Sequence, residues 1–295
     1  PTVKALLKQI KPDILHSHYL TSYGLLGALS GFTPLIATAW GSDVLATPQN
    51  SFIYRLLLRY TLSRCNIVTS DSAFMGDEVM RKYHLAPDRM KIIPLGVDLT
   101  TFNHAERSWP EQPPFILLSM RFLDANANLQ SLIKALPAVT VHIPDIKLIV
   151  THHGPELSAL KQLVKHLDLE NIVAFQGLIP HHEVAVHLKQ ADLYFSLLNS
   201  DATSVNLLEA MACGSFPIVS DIPANREWIS DGENGYIVSP QASDDLAKKI
   251  ISALKLPHLR IRAAKYNWDV INQKANWESN MQAVFDIYNQ QLSVS

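Results

Sequence analysis

Apolar positions in this chain fall into short continuous runs separated by stretches of helical spacing. A run of four to eight apolar residues bounded by turn formers reads as a buried strand; recurrence at i, i+3, i+4 and i+7 reads as a helix with one apolar face. The first part gives strands at 12–16, 35–39, 66–69 and 91–93, with His18 and Tyr19 in the loop after the first. Between and before them lie helices at 3–10, 23–29, 52–60 and 73–83, the last capped by Asp71 or Ser72. From 100 to 114 the pattern lapses into charged residues, Asn, Trp and Pro, as in an interdomain linker. Alternation then resumes, with strands at 115–119, 147–151, 172–175, 193–198, 216–220 and 236–238. Helical faces follow at 129–136, 157–167, 205–213 and 243–254, with a last amphipathic helix from 277. His181 and His182 read as a solvated loop. Strand and helix in alternation imply parallel sheets covered on both faces. The expected fold is α/β with two Rossmann-like, doubly wound domains, at 1–105 and 106–276, followed by a helix at 277–295.

A length of 295 residues accommodates two such domains, and 47% apolar with 18% charged residues is ordinary for a folded chain. The net charge of −2 supplies no global field for nucleic acid or an acidic membrane. Cys65 and Cys213, both in apolar settings, read as reduced core residues of a cytosolic protein. No apolar run approaches the roughly 20 residues of a spanning helix. The chain opens at Pro1 inside a helix, so a missing N-terminal part is expected.

In open α/β sheets ligands bind where strand C-termini feed loops and helix N-termini. That rule selects the loops after His16, Ala39, Ser119 and Leu198. The richest is 201–214. Seven of the nine residues from 205 to 213 are apolar, so this helix is expected to be buried all round. Glu209 nevertheless sits inside it, and a buried carboxylate is costly without a partner. Asp201 stands in the loop before, Thr203 or Ser204 can cap the helix, and Gly214 can end it. The N–H groups around Ser204, Val205, Asn206 and Leu207 offer a seat for a diphosphate. Glu209 fits ribose hydroxyls and Asp201 sugar hydroxyls; equally, Asp201 fits a surface turn and Glu209 an ion pair with a buried Arg or Lys.

Arg121, after the 115–119 strand, suits a phosphate, or else a salt bridge to Asp124. His16 and His18 share a side if the first strand extends that far; His18, further out, is the better acid, base or positioning group. Asp43, after Gly41, fits a hydroxyl ligand or a helix cap. In His152-His153-Gly154-Pro155 the glycine marks a close approach or tight turn, and the adjacent histidines lack a third ligand, so no metal site is expected. There is no G-x-G-x-x-G, Walker A or D-x-D signature.

Taken together, these pieces resemble the retaining family 4 glycosyltransferases of GT-B fold. The matching segments are P-D-I-L-H-S-H at 12–18, W-G-S-D at 40–43, I-I-P-L-G-V-D at 92–98, Arg121, H-G-P-E at 153–156, F-Q-G at 175–177, and Asp201 to L-L-E-A-M-A-C-G at 207–214. The resemblance covers nearly the whole chain. It implies a UDP- or GDP-linked sugar as substrate, held by the second domain, no cofactor and no metal. The acceptor would be a saccharide or lipid-linked, with no nucleic acid partner. It further implies a cytoplasmic protein with peripheral contact at the inner membrane face. Carried over residue by residue, Asp201 faces the donor sugar, Glu209 the ribose, Arg121 the diphosphate and Leu178 the base. Asn126, Gly154, Thr203, Ser204, Val205 and Asn206 fall at donor positions, with Trp40, Gly41 and Asp43 on the acceptor side. The last helix would cross back to the first domain.

Four departures stand out. The family's Lys after the arginine is Asn126 here, followed by Ala127 in place of Gly; its frequent His is Trp40; the first Gly of its G-x-G-P loop is His152; and its first strands and Gly-rich loop are absent. The implied activity is transfer of a sugar with retention. The departures at Asn126 and Trp40 motivate an alternative, a nucleotide-sugar-binding or scaffold protein of the same fold. A nucleotide-sugar 2-epimerase is a third reading.

Overall fold

The computed structural model describes residues 2–45, 51–105, 107–239 and 243–294. These form two compact units. The first takes residues up to Gly96, the short Asp201–Thr203 segment, and the chain from Glu278 onward.

Its elements run α1 (Thr2–Ile10), β1 (Leu15–His18), α2 (Tyr23–Ser30), β2 (Leu35–Ala39), α3 (Ser42–Leu45), α4 (Phe52–Arg64), β3 (Ile67–Ser70), α5 (Ala73–Tyr83) and β4 (Met90–Ile92). The four strands are parallel and lie in sequence order, β1-β2-β3-β4. Right-handed crossovers that all step one way place α2, α4 and α5 on one face. The strand period of two then sorts the side chains. Leu35, Ala37 and Ala39 of β2 join Leu58, Leu62, Met75 and Val79 in the core beneath those helices, while Ile36 and Ile67 point to the other face.

The first strand starts and ends later than its apolar run. Lys11 ends α1 at φ 51, Pro12 has no N–H, and pairing begins where the Leu15 N–H donates to Pro34 O. The ladder continues to His18 opposite Thr38, so His18 belongs to the strand and not to a loop.

In the second unit come β5 (Phe115–Ser119), α6 (Leu129–His142), β6 (Ile146–Thr151), α7 (Leu157–His166), β7 (Val173–Gly177), α8 (His181–Gln190), β8 (Leu193–Ser196), α9 (Val205–Ala212), β9 (Phe216–Ser220), α10 (Pro223–Arg226), β10 (Tyr236–Val238), α11 (Ser243–Lys255) and α12 (Pro257–Lys274). Its six-stranded order is β10-β9-β8-β5-β6-β7. The chain starts at the centre, builds outward through β6 and β7, then returns to β8, so the order reverses between β5 and β8. One face carries Phe115, Leu117, Leu148, Phe195 and Ile218 against the residues of α6 and α11; the other carries Leu118, Ile149, Tyr194 and Val219 against α8 and α9. His181 and His182 open helix α8 instead of standing in a loop, because Val184, Ala185 and Leu188 give that segment a buried face. Helix α12, with no clean apolar stripe, buries Arg260 and Asn267 alongside Ala263, Ala264 and Ile271.

The 97–105 segment belongs to the second unit, so the division falls after Gly96 and not after residue 105. Val97 N–H donates to Ala275 O at 2.7 Å, Trp277 N–H donates to Val97 O at 3.1 Å, and Phe102 is buried in the second unit's core. Arg107 is buried further on, donating to Leu188 O, Lys189 O and Ala191 O at the end of α8. The final helix, α13 (Trp277–Val294), brings Ile287 and Tyr288 to Ile36 and Ile67 of the first sheet.

Candidate functional site

At the order reversal of the second sheet, the loops leaving β5 and β8 run apart at the C-terminal strand ends. Between them lies a cavity of about 200 Å³ lined by Met120, Arg121, Phe122, Asn126, His152 and Asn206 among others. Helix α9 starts here. Ser204 is its N-cap, accepting from Leu207 N–H at 3.3 Å, and the same hydroxyl accepts from Arg121 Nη1 at 2.9 Å. One serine thus joins a guanidinium to a helix start that offers unpaired N–H groups and positive potential. Asp124, in the same loop, accepts from Ala127 N–H at 3.0 Å.

Glu209 lies one turn into α9 and is 7% exposed. It accepts from Asn206 Nδ2 at 3.1 Å. Among the described residues it has no ion pair, so the buried Arg or Lys allowed by the sequence is not its partner. Burial pushes its carboxyl up to about 7, the Asn206 hydrogen bond acting in the opposite direction. Helix α9 is buried along Leu207–Ala212, and Gly214 beyond it turns at φ 78. Val205, in the first turn, is partly buried.

Two donor-side residues do other work. Asn126 donates from Nδ2 to Ser200 O at 3.0 Å and accepts Ser200 N–H on Oδ1 at 3.1 Å. Its amide therefore ties the two loops together across the crevice while the residue lines the cavity, with one of its two N–H groups used on Ser200. Gly154 is required by the protein itself: an added Cβ would stand 2.3 Å from Leu123 O. Leu178 follows Gly177 at the end of β7, its side chain exposed and outside the cavity lining.

Phe122 and His152 line the cavity and were not selected from the sequence. Their rings meet edge to face at 5.5 Å, and His152 stacks on His153 at 4.9 Å. His152 sits at φ 83, a left-handed conformation that a histidine adopts at a cost of about 1 kcal/mol. The signal available in the sequence was a non-glycine two residues before Gly154, at a strand end that must turn sharply.

The remaining predicted residues gather in the first unit. His16 and His18 share a face of β1, rings stacked at 4.5 Å. His16 is held at both nitrogens, by Tyr288 Oη at 2.6 Å and Thr38 Oγ1 at 2.7 Å, and burial followed by the neighbouring His18 brings its pKa down to about 4. His18 is exposed, and burial of part of its ring lowers its pKa. Its Nδ1 accepts from Trp40 Nε1 at 3.3 Å, which leaves Nε2 as the protonated nitrogen of the neutral ring. Trp40 is 47% exposed. Gly41, at φ 110, lies where a Cβ would come within 3.0 Å of Ala202 Cβ. Asp43 is not open to an acceptor: it is fully buried, and its two oxygens accept from Leu20 N–H at 2.7 Å and Trp40 N–H at 3.0 Å. It locks the β1 and β2 loops to each other. Asp201 accepts from Ala202 N–H at 2.9 Å, and Thr203 Oγ1 donates to Asp71 O at 3.1 Å. The structure thus groups Arg121, Ser204, Asn206 and Glu209 in one unit, and His18, Trp40, Asp43, Asp201 and Thr203 in the other.

An arginine held on a helix N-cap at the reversal point of a parallel sheet, one turn from a buried carboxylate, is the arrangement of an α/β protein with a polar-ligand site. Residues 100–269 match the family described as glycosyl transferases, group 1, and residues 2–72 match glycosyl transferase 4-like. The chain belongs to the glycosyl transferases of group 1. It is 26% identical over 278 residues to a phosphatidyl-myo-inositol mannosyltransferase of Mycolicibacterium smegmatis, covering 88% of this chain and 69% of that one. It is 27% identical over 270 residues to an alpha-monoglucosyldiacylglycerol synthase of Streptococcus pneumoniae, covering 84% of this chain and 60% of that one. The fold is GT-B, as in Anabaena HepE crystallised with UDP: TM-score 0.84, 18% identity, 98% of this chain and 82% of that one. Among the described residues no helix is long and apolar enough to cross a membrane.

Proposed function

We propose that the chain transfers a sugar from a nucleoside-diphosphate donor to a saccharide or lipid-linked acceptor, with retention and without a metal. The carrying observation is the cluster at the sheet's reversal point, where Arg121 and the start of α9 converge on Ser204 beside buried Glu209. In this reading Arg121 and the α9 N–H groups hold the diphosphate and stabilise it as it leaves, the role a cation would otherwise fill. Glu209 accepts the ribose hydroxyls. Asp201 and His18, in the first unit, are the candidates for contacts to the sugar and the acceptor. The leaving phosphate takes the acceptor's proton, so no side-chain base is needed. The similarity to a phosphatidyl-myo-inositol mannosyltransferase and an alpha-monoglucosyldiacylglycerol synthase supports a hexose donor and a lipid acceptor.

Calorimetric titration with UDP and GDP tests the donor site. Saturable binding of one of them, weakened at least tenfold by Arg121→Ala, is expected; no binding by folded protein would overturn the reading. Release of nucleotide from a panel of nucleotide sugars then tests turnover. A second reading, binding without transfer, draws on Asn126, whose amide is committed to Ser200. Tight nucleotide binding with no release from any donor would decide for it.

A further inference from the structure

One residue lining the second unit's cavity is held there under strain. His152 follows β6 and takes φ 83, a conformation that glycine adopts freely and a histidine does not. The turn is fixed by its surroundings. The register shifts between Val150 and Thr151 as β6 pairs with β7, and the His152 N–H donates to Gly177 O. The backbone thus calls for glycine, and the chain supplies an imidazole. That ring fills no core: His152 is partly buried, His153 is exposed, and Phe122, which His152 meets edge to face, is 45% exposed. Strain beside a cavity that packing does not require points to a job for the side chain.

The hydrogen bonds around the ring define what it offers. Nδ1 accepts from His153 N–H at 3.0 Å, so the neutral ring carries its hydrogen on Nε2. When the ring is protonated, His153 O, 3.3 Å from Nδ1, can accept the second hydrogen. Nε2 is therefore a donor in both states, and among the described residues it has no partner. The Phe122 ring at 5.5 Å and the His153 ring at 4.9 Å limit its rotation. The cavity lining that includes His152 holds one cation, Arg121, and one acid, Asp124, whose carboxylate accepts from Ala127 N–H. A diphosphate presents oxygens on two phosphorus atoms, more than one guanidinium fork can satisfy. His152 brings to the same lining a side-chain donor that no protein group has taken.

We propose that His152 is a ligand of the nucleotide's diphosphate, giving the Nε2 hydrogen to a phosphate oxygen in the cavity that Arg121 also lines. The inference rests on the reading of this cavity as the nucleotide-sugar site and adds a residue to it. Stacking on the nucleobase is the rival role for the ring. The imidazole already stacks on His153, which takes one of its faces, while Nε2 is untouched.

The test is calorimetric titration of the whole chain with UDP and GDP, using two variants that differ in backbone strain. His152→Gly removes the ring and the strain; His152→Ala removes the ring and keeps the strain. Both are expected to weaken nucleotide binding by the same factor, on the order of tenfold for one lost charge-assisted hydrogen bond, although thermal unfolding separates them. Inorganic pyrophosphate, titrated as a competitor of the bound nucleotide, is expected to lose affinity by that factor too. Wild-type affinity in His152→Gly would overturn the proposal and leave the nucleotide site standing. A loss confined to His152→Ala would overturn it by making the effect one of strain. Weaker nucleotide binding with pyrophosphate unchanged would overturn it in favour of a contact to the base. Wild-type protein that binds neither nucleotide would remove the reading of the site and the proposal with it.

Discussion

Burial holds the Glu209 carboxyl near 7, well above its ordinary value of 4.5. Below 4.5 the group is protonated in both folded and unfolded chains and has no effect. Between 4.5 and about 7 the unfolded chain releases the proton while the fold retains it, so stability falls as pH rises through that window. Above it the loss is constant. Glu209→Gln is therefore expected to stabilise the ligand-free protein at pH 8 by about 2 kcal/mol, with little change at pH 5, read by urea unfolding at both. The same variant is expected to weaken UDP binding, since an amide is a poorer acceptor for ribose hydroxyls. His152 offers a second residue-scale test. Glycine needs no strain at φ 83, so His152→Gly is expected to be about 1 kcal/mol more stable than His152→Ala by thermal or urea unfolding. Glu209 was legible in the sequence because an acid inside an apolar helix is conspicuous. Asn126 and Asp43 were located, but their protein partners were not. What each side chain bonds to depends on a backbone far away in sequence, Ser200 for one and Leu20 for the other, and residue type carries no mark of it.

Elements with a clean period were legible to within a residue or two. Strands β2, β5, β9 and β10 stand where continuous apolar runs place them, and α9 is buried along the stretch whose apolar residues surround it. Helix α12 was invisible because it buries Arg260 and Asn267, polar residues that interrupt its stripe. Arg260 donates from Nη1 to Ala253 O and Leu254 O, at the C-terminal end of α11, and Asn267 donates to Asn234 O. Helix α8 was hidden by its two exposed histidines at the start. The start of α9 itself allows a sharp experiment, because a cap and an anion seat respond differently to charge. Ser204→Ala is expected to cost about 1 kcal/mol of stability and to weaken UDP binding about tenfold, having lost both the cap and the Arg121 contact. Ser204→Asp keeps a capping oxygen and suits the helix dipole, so stability is expected to hold or rise. Its charge occupies the anion seat, and UDP binding is expected to disappear from calorimetry.

Across the whole molecule, the alternation of strand and helix was enough to give two Rossmann-like units, and the resemblance of the motifs added the GT-B class. Two features were lost in averages. A net charge of −2 conceals the acid-free basic face of α4. The strand order within the first sheet cannot be read from periodicity, and it is this order that leaves one face to be covered from elsewhere. Helix α13 covers it. Ending the chain at residue 276 is expected to expose Ile36 and Ile67 and uncouple His16 from Tyr288. The first unit's unfolding transition should then move to lower temperature in calorimetry, while UDP binding by the second unit persists.

The same helix sets a timetable. His16 and its partner Tyr288 are 272 positions apart, and the whole second unit is strung between them. On the ribosome the first sheet emerges early with one apolar face bare, and α13, made only after the second unit, closes it. A chain stalled before α13 is expected to expose that apolar face, whatever state its second unit has reached.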